Sequence, residues 1–208
     1  GGIVASTLAA RGYPVTLAEL GESASPLLPN DELWEPAPIK TPFTRGSGIG
    51  GTSNFWHGGL TLLDRTDLEG EAGHSGRPRS PIAFDQLRGY YGQAVALLRD
   101  GQQYSLGDIE PSLNTPLDGF GSPRGAFRLK AILYPERPFS TRRLIERARK
   151  QHGLQVISNF DVRRLVSSGG RRFAYAEGVD LKSGRLRKLP ADTFILSAGG
   201  FGSPKILL

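Results

Sequence analysis

The stretch "GGIVASTLAARGYPVTLAELG" (residues 1–21) sets a glycine-led apolar run directly before a short strand-like run that ends in an acid. The small residues of "IVASTLAA", 3–10, predict a helix that packs closely on a neighbour. "RGYP" ends it, with Gly12 at the C′ position. "VTLAEL", 15–20, predicts a buried strand with Glu19 near its end. A dinucleotide fold needs glycines where a chain enters a helix, so that backbone N–H groups and the helix dipole can meet a pyrophosphate. Gly1 and Gly2 match the last two positions of G-x-G-x-x-G, with Gly2 as the glycine that lets helix and strand pack. Glu19 follows Gly2 by 17 positions, close to the spacing of about 20 at which a carboxylate accepts from ribose hydroxyls. Taken alone, the glycine pair also reads as a plain turn, and Glu19 as a solvated loop acid.

Downstream, five prolines between Pro26 and Pro42 break any regular element over 21–45. Residues 64–83 and 101–137 read as irregular. Between them "AFDQLRGYYGQAVALLRD", 83–100, predicts an amphipathic helix with Leu87, Tyr90, Tyr91, Ala94 and Leu97 or Leu98 on its inner face. Ser140 or Thr141 caps a helix running to about Gln151, with Leu144, Ile145 and Ala148 inward. Short strands follow in "LQVIS", "DVRRLV", "RFAYAEGVDL" and "RLRKLP", the last two joined by a turn at "KSG", 182–184. "TFILS", 193–197, predicts a final buried strand running into "AGGFGSP" and the start of another helix. There the small residues Ser197, Ala198 and Gly199 let another group approach the backbone. The order fits an α/β dinucleotide fold, a parallel sheet with a β-meander crossover.

With 208 residues, 38% hydrophobic and 22% charged, the chain has the balance of a globular domain. It contains no Cys, which excludes disulfides, thiolate metal sites and a cysteine nucleophile. No apolar run is long enough to span a membrane. The chain holds no Met and opens within a motif, so it reads as a fragment, incomplete at both ends. Its net charge of +6 is uneven: residues 1–120 carry 8 Lys and Arg against 14 Asp and Glu, and residues 121–208 carry 18 against 6. In the second part basic residues alternate with Phe127, Tyr134, Phe139, Phe160 and Phe173, a composition some nucleic-acid surfaces share. The arginines form no long block, however, and the plainer reading is a solvated basic face with no nucleic-acid partner.

A second stretch, "GSGIGGTSNFWHGGL", 46–60, has glycine at six of fifteen positions, set among hydrogen-bonding and aromatic side chains. Together with "GGIVASTLAARGYPVTLAELG", "AFDQLRGYYGQAVALL" and "FDVRRLV…ADTFILSAGGFGSPKILL", in this order and spacing, it resembles the N-terminal, flavin-binding part of the glucose–methanol–choline oxidoreductases. The resemblance implies one FAD-binding domain over 1–208, with 64–137 an irregular substrate-side excursion. It implies FAD as cofactor, with Gly50 and Gly51 giving the backbone access to the flavin. Thr52, Ser53 and Asn54 would offer hydrogen bonds to pyrophosphate or ring edge. The main chain of Val162 would meet the adenine, while Gly2, Glu19, Ser197, Ala198 and Gly199 complete the cofactor-binding set. The family often has Asn-Gly after this loop where "NFWHGGL" stands here. His57 then falls near the ring or substrate without a covalent bond to flavin, or simply packs, and Trp56 forms a wall.

The implied reaction is hydride transfer from the CH–OH carbon of an alcohol, a sugar, polyol or similar small molecule, to the flavin. Oxygen, a quinone or a cytochrome would take the electrons. The family's proton-handling His, paired with Asn or a second His, lies beyond the position matching Leu208, so no catalytic residue and no metal ligand is assigned. The cytoplasm and the periplasm both stay open. Two alternatives stand beside this reading: a monooxygenase-type flavoprotein with two dinucleotide sites, and a basic module that binds nucleotide or RNA without catalysis. A disulfide reductase is excluded by the absent Cys pair.

Overall fold

Helix α1 (Gly2–Ala10) buries Ala5, Ser6 and Ala9. A helix with so little side chain on its inner face must pack at short range, and it does so on α4 (Thr141–His152), where Ile145 and Ala148 are buried. With Leu154 these residues form one core, onto which Val15, Leu17, Ile49 and Val156 pack. Gly2 marks the closest approach, because a Cβ there would lie 2.9 Å from both Thr141 Cβ and Ile145 Cδ1. Its small size therefore serves helix against helix, not helix against strand as the fingerprint predicts.

The computed structural model describes residues 1–24, 46–70, 80–109, 132–170 and 172–208. The prolines between Pro26 and Pro42, and the stretches 71–79 and 110–131 of the expected irregular segments, lie outside the described residues. The chain divides into two compact units. One comprises Gly1–Phe55 with Ser140–Leu208, and the other Trp56–Phe139.

In the first unit Gly12 takes φ 84° after α1, as a left-handed helix stop requires. Strand β1 (Thr16–Ala18) pairs in parallel with β2 (Gln155–Ile157), with Leu17 opposite Val156. The ladder continues beyond both strands: Glu19 N–H donates to Ile157 O at 2.8 Å, and Phe160 N–H donates to Glu19 O at 3.0 Å. Ser140 caps α4, its Oγ accepting from Arg142 N–H at 3.2 Å, and Gly153 at φ 67° closes it. Strands β3 (Phe160–Ser167), β4 (Phe173–Asp180) and β5 (Leu186–Pro190) form the predicted antiparallel meander, order β3-β4-β5. Gly184 at φ 69° turns β4 into β5, its N–H donating to Asp180 O at 2.8 Å. The architecture is thus mixed α/β, a parallel pair beside an antiparallel meander.

The expected buried strand at 193–197 is corrected. These residues carry no strand pairing, and Ile195 is 55% exposed. The period-2 pattern survives as an extended chain, with Phe194 and Leu196 half-buried between exposed neighbours. A strand is stabilised by ladder hydrogen bonds to a neighbour, and among the described residues none lies alongside. What holds the segment is apolar contact, with Phe194 meeting Phe173 edge to face at 6.5 Å between ring centres. Helix α5 (Gly199–Leu207) then begins, as expected.

The second unit contains α2 (Arg65–Glu69), within a stretch expected to be irregular, and α3 (Phe84–Leu98). Its core joins Leu62, Val95 and Ile109, with Leu60, Tyr91 and Tyr104 packed against them. On α3 the expected Leu87, Tyr91, Leu97 and Leu98 are half-buried, Val95 is buried beside them, and the expected Tyr90 and Ala94 are exposed. The ends of this unit are tied together by Trp56, whose Nε1–H donates to Phe139 O at 2.6 Å. Among the described residues no helix is long and apolar enough to cross a membrane.

Candidate functional site

Glu19 stands just past the carboxyl end of β1, half-buried. Its Oε1 accepts from Gly21 N–H at 3.1 Å and from Gly48 N–H at 2.9 Å. Burial pushes its carboxyl above the ordinary value of 4.5, and the backbone N–H groups of Gly21, Gly48 and Leu20 pull the other way. The two glycines it joins are almost in contact. A Cβ on Gly21 would lie 2.6 Å from Gly48 N, and a Cβ on Gly48 would strike the Ser23 carbonyl. Two chain segments can meet this closely only where neither carries a side chain.

Gly48 opens the loop of the second motif. Gly50 at φ 101° and Gly51 at φ 54° turn it into a short 3₁₀ segment, Gly51–Asn54. Ile49, between Gly48 and Gly50, packs onto the core. Of the three polar side chains expected to face a cofactor, Ser53 and Asn54 are half-buried and Thr52 is exposed. Thr52 Oγ1 accepts from Gly46 N–H at 3.1 Å. Ser53 Oγ donates to Gly50 O and accepts from Thr141 N–H at 3.1 Å. Asn54 Nδ2 donates to Ile49 O at 3.0 Å and Gly51 O at 3.1 Å, while its Oδ1 accepts from Ser140 Oγ at 2.6 Å. Hydrogen bonds within the protein thus engage all three side chains, most fully those of Ser53 and Asn54.

Within the first unit the predicted residues form one connected arc. Ser197 lies at the start of α1, its Cβ 3.3 Å from where a Cβ on Gly1 would be. Gly2 touches Thr141, Thr141 holds Ser53 and Gly50, and Gly48 holds Glu19. Val162 lies two residues along β3 from Phe160, whose N–H bonds Glu19 O. Ser197, Ala198 and Gly199 are exposed, and Ala198 N–H donates to Ser203 Oγ at 3.0 Å. The first turn of α1 carries no side-chain cap and no acid. His57 belongs to the second unit and is exposed there.

The sequence gives no sign that Ser140 and Thr141 belong to this arc. Ser140 is legible as a helix cap, but its second bond reaches a side chain 86 residues away. A cleft of about 620 Å³ lies elsewhere in the same unit, lined by Leu165, Phe173, Phe194, Leu196 and Leu207 with Arg172 and Asp192 at its polar parts; it contains no predicted site residue. Among the described residues no group of three or more His, Asp or Glu side chains could hold a metal ion. No protein-family model matches the chain, and no curated protein matches it.

Proposed function

We propose that this chain is the FAD-binding part of a flavin-dependent oxidoreductase of the glucose–methanol–choline type, and that the whole protein oxidises a small alcohol at its CH–OH carbon. The observation that carries the reading is the arc itself: four stretches far apart in sequence, at Gly1–Gly2, Glu19, Gly48–Asn54 and Ser197–Gly199, meet around the starts of α1 and α4. A dinucleotide fold is the finer form of the α/β architecture that this arrangement supports.

The donor set fits such a ligand. The uncapped first turn of α1 offers backbone N–H groups to a pyrophosphate. Glu19 Oε1 accepts from two backbone donors, and a carboxylate has about four lone-pair positions, so capacity remains for a ribose hydroxyl. The Gly50–Gly51 backbone would lie along the cofactor, and the Val162 main chain would meet the adenine. When bound, FAD supplies the hydride-accepting ring, and the protein's part is binding and orientation. The electron acceptor, whether oxygen, a quinone or a cytochrome, acts on the whole protein.

The test is a titration of the purified chain with FAD, followed by flavin fluorescence and by colour retained through gel filtration. Glu19→Ala should weaken binding by about 1–3 kcal/mol, the range for a charged hydrogen-bond partner. A wild-type chain that leaves flavin fluorescence unchanged and emerges colourless sinks the reading.

A further inference from the structure

The glycine loop is attached to the first turn of α4 by two side-chain pairs. Ser140 Oγ has one proton, and it goes to Asn54 Oδ1 at 2.6 Å while the same oxygen caps α4 at Arg142 N–H, 3.2 Å away. Thr141 donates its N–H to Ser53 Oγ at 3.1 Å, and its Oγ1 donates to Gly50 O at 3.2 Å. Asn54 in turn spends its amide on Ile49 O and Gly51 O, so both groups of that side chain are committed. The loop's shape thus depends on a contact whose halves are 86 to 91 residues apart.

We propose that Ser140 and Thr141 are positioning residues: they lock Gly50–Asn54 into the conformation that presents the loop backbone to the ligand, and Ser53 and Asn54 act through them rather than on the ligand. That the ligand is FAD rests on the function proposed above; the lock itself does not. Two of the three polar side chains that sequence reading gives to the ligand, Ser53 and Asn54, are engaged here. What the loop can still offer outward is its glycine backbone and the exposed Thr52 hydroxyl.

The experiment pairs amide hydrogen exchange with FAD titration on the full chain. Ser140→Asp keeps a good helix cap but deletes the hydroxyl proton given to Asn54. Asn54→Asp keeps the shape and deletes both amide donors. Ser140→Asp should speed exchange of the loop amides about tenfold, the effect of losing roughly one hydrogen bond's net stabilisation, and Asn54→Asp, which loses two, by more; both should leave α4 exchange unchanged and weaken FAD binding by similar factors. Ser140→Thr and Thr141→Ser, which keep every bonding atom, should behave as wild type. Loop exchange equal to wild type in both Asp variants overturns the lock, whatever FAD does. Faster loop exchange with unchanged FAD affinity overturns the positioning role. A wild type that binds no FAD sinks the flavin reading alone, and the exchange comparison still upholds or overturns the lock.

Discussion

The Glu19 carboxylate accepts the Gly48 N–H at 2.9 Å across 29 residues of sequence, and this bond joins the acid of the first motif to the glycine loop of the second. Few residue types could replace it. The carboxylate reaches two backbone donors from a strand end, and the donors belong to glycines packed too closely to carry side chains of their own.

Its pH dependence has a definite sign. Burial is the largest influence and raises the Glu19 carboxyl above 4.5. Between 4.5 and the raised folded value the native state binds more proton than the unfolded chain. Glu19's contribution to stability is therefore fully present below 4.5 and is lost as pH rises through the raised value. Glu19→Gln cannot titrate. The melting temperature of wild type minus that of Glu19→Gln should fall as pH climbs from about 4, then flatten. A difference that grows with pH would mean that the backbone donors outweigh burial.

Gly2 is the contact point of α1 and α4. Gly2→Val should cost about 1–3 kcal/mol in urea unfolding, as overpacking does, because the added carbons meet Thr141 Cβ and Ile145 Cδ1. The double variant Gly2→Val with Ile145→Val should recover part of the loss. Full stability in the single variant would show that the helices can part without cost.

The basic half should not bind nucleic acid. Arg163 pairs with Asp161, Arg164 with Glu177, Arg187 with Asp180, Lys182 with Glu22 and Arg142 with Glu146, at 2.7 to 3.2 Å. Exposed pairs of this kind add little stability, but they hold five of the eighteen basic side chains of residues 121–208 against carboxylates, and the eighteen form no long block in the sequence. Fluorescence anisotropy with random duplex and single-stranded probes at about 150 mM salt should show no saturable complex. A submicromolar affinity that falls steeply with added salt overturns this, since phosphate contacts release counterions.

The elements with local signals were legible in the sequence. The Ser140 cap and the closing Gly153 mark α4, and the turn before Gly184 marks the meander. On α3, Tyr90 and Ala94 were assigned inward in place of Val95 because all three are apolar enough to be buried, and only the packing of Leu62 and Ile109 onto Val95 decides among them. The 193–197 segment has strand chemistry, but a strand is a relation between two segments, and no local pattern reports a missing neighbour. The site shows the same division. Glu19 and the glycines could be found from spacing. The inward turn of Ser53 and Asn54 could not, because Ser140 and Thr141 are ordinary residues at a helix start.

Gly50 and Gly51 look equivalent in sequence, and the structure separates them. Gly50 has φ 101°, and a Cβ there would sit 2.7 Å from both polar atoms of the Asn54 side chain and 3.1 Å from Arg142 Cβ. Gly50→Ala must therefore expel the amide that holds the loop, and the backbone angle is itself unfavourable for alanine. The combined cost should be about 2–4 kcal/mol, one strained residue plus about one lost hydrogen bond. Gly51 has φ 54°, and a Cβ there would find only Gly46 O, 3.9 Å away. That angle lies in the left-handed well that Asn visits readily, so Gly51→Asn should change stability by no more than about 0.5 kcal/mol, as an open surface site does. Urea unfolding measures both. Should the flavin reading hold, Gly51→Asn also probes the cofactor side: a stable variant that no longer retains FAD would show that the open space beside Gly51 is where the ligand lies. Equal losses of stability in the two variants would mean that Gly51 too is fixed by the protein, and that the loop has no open face at this position.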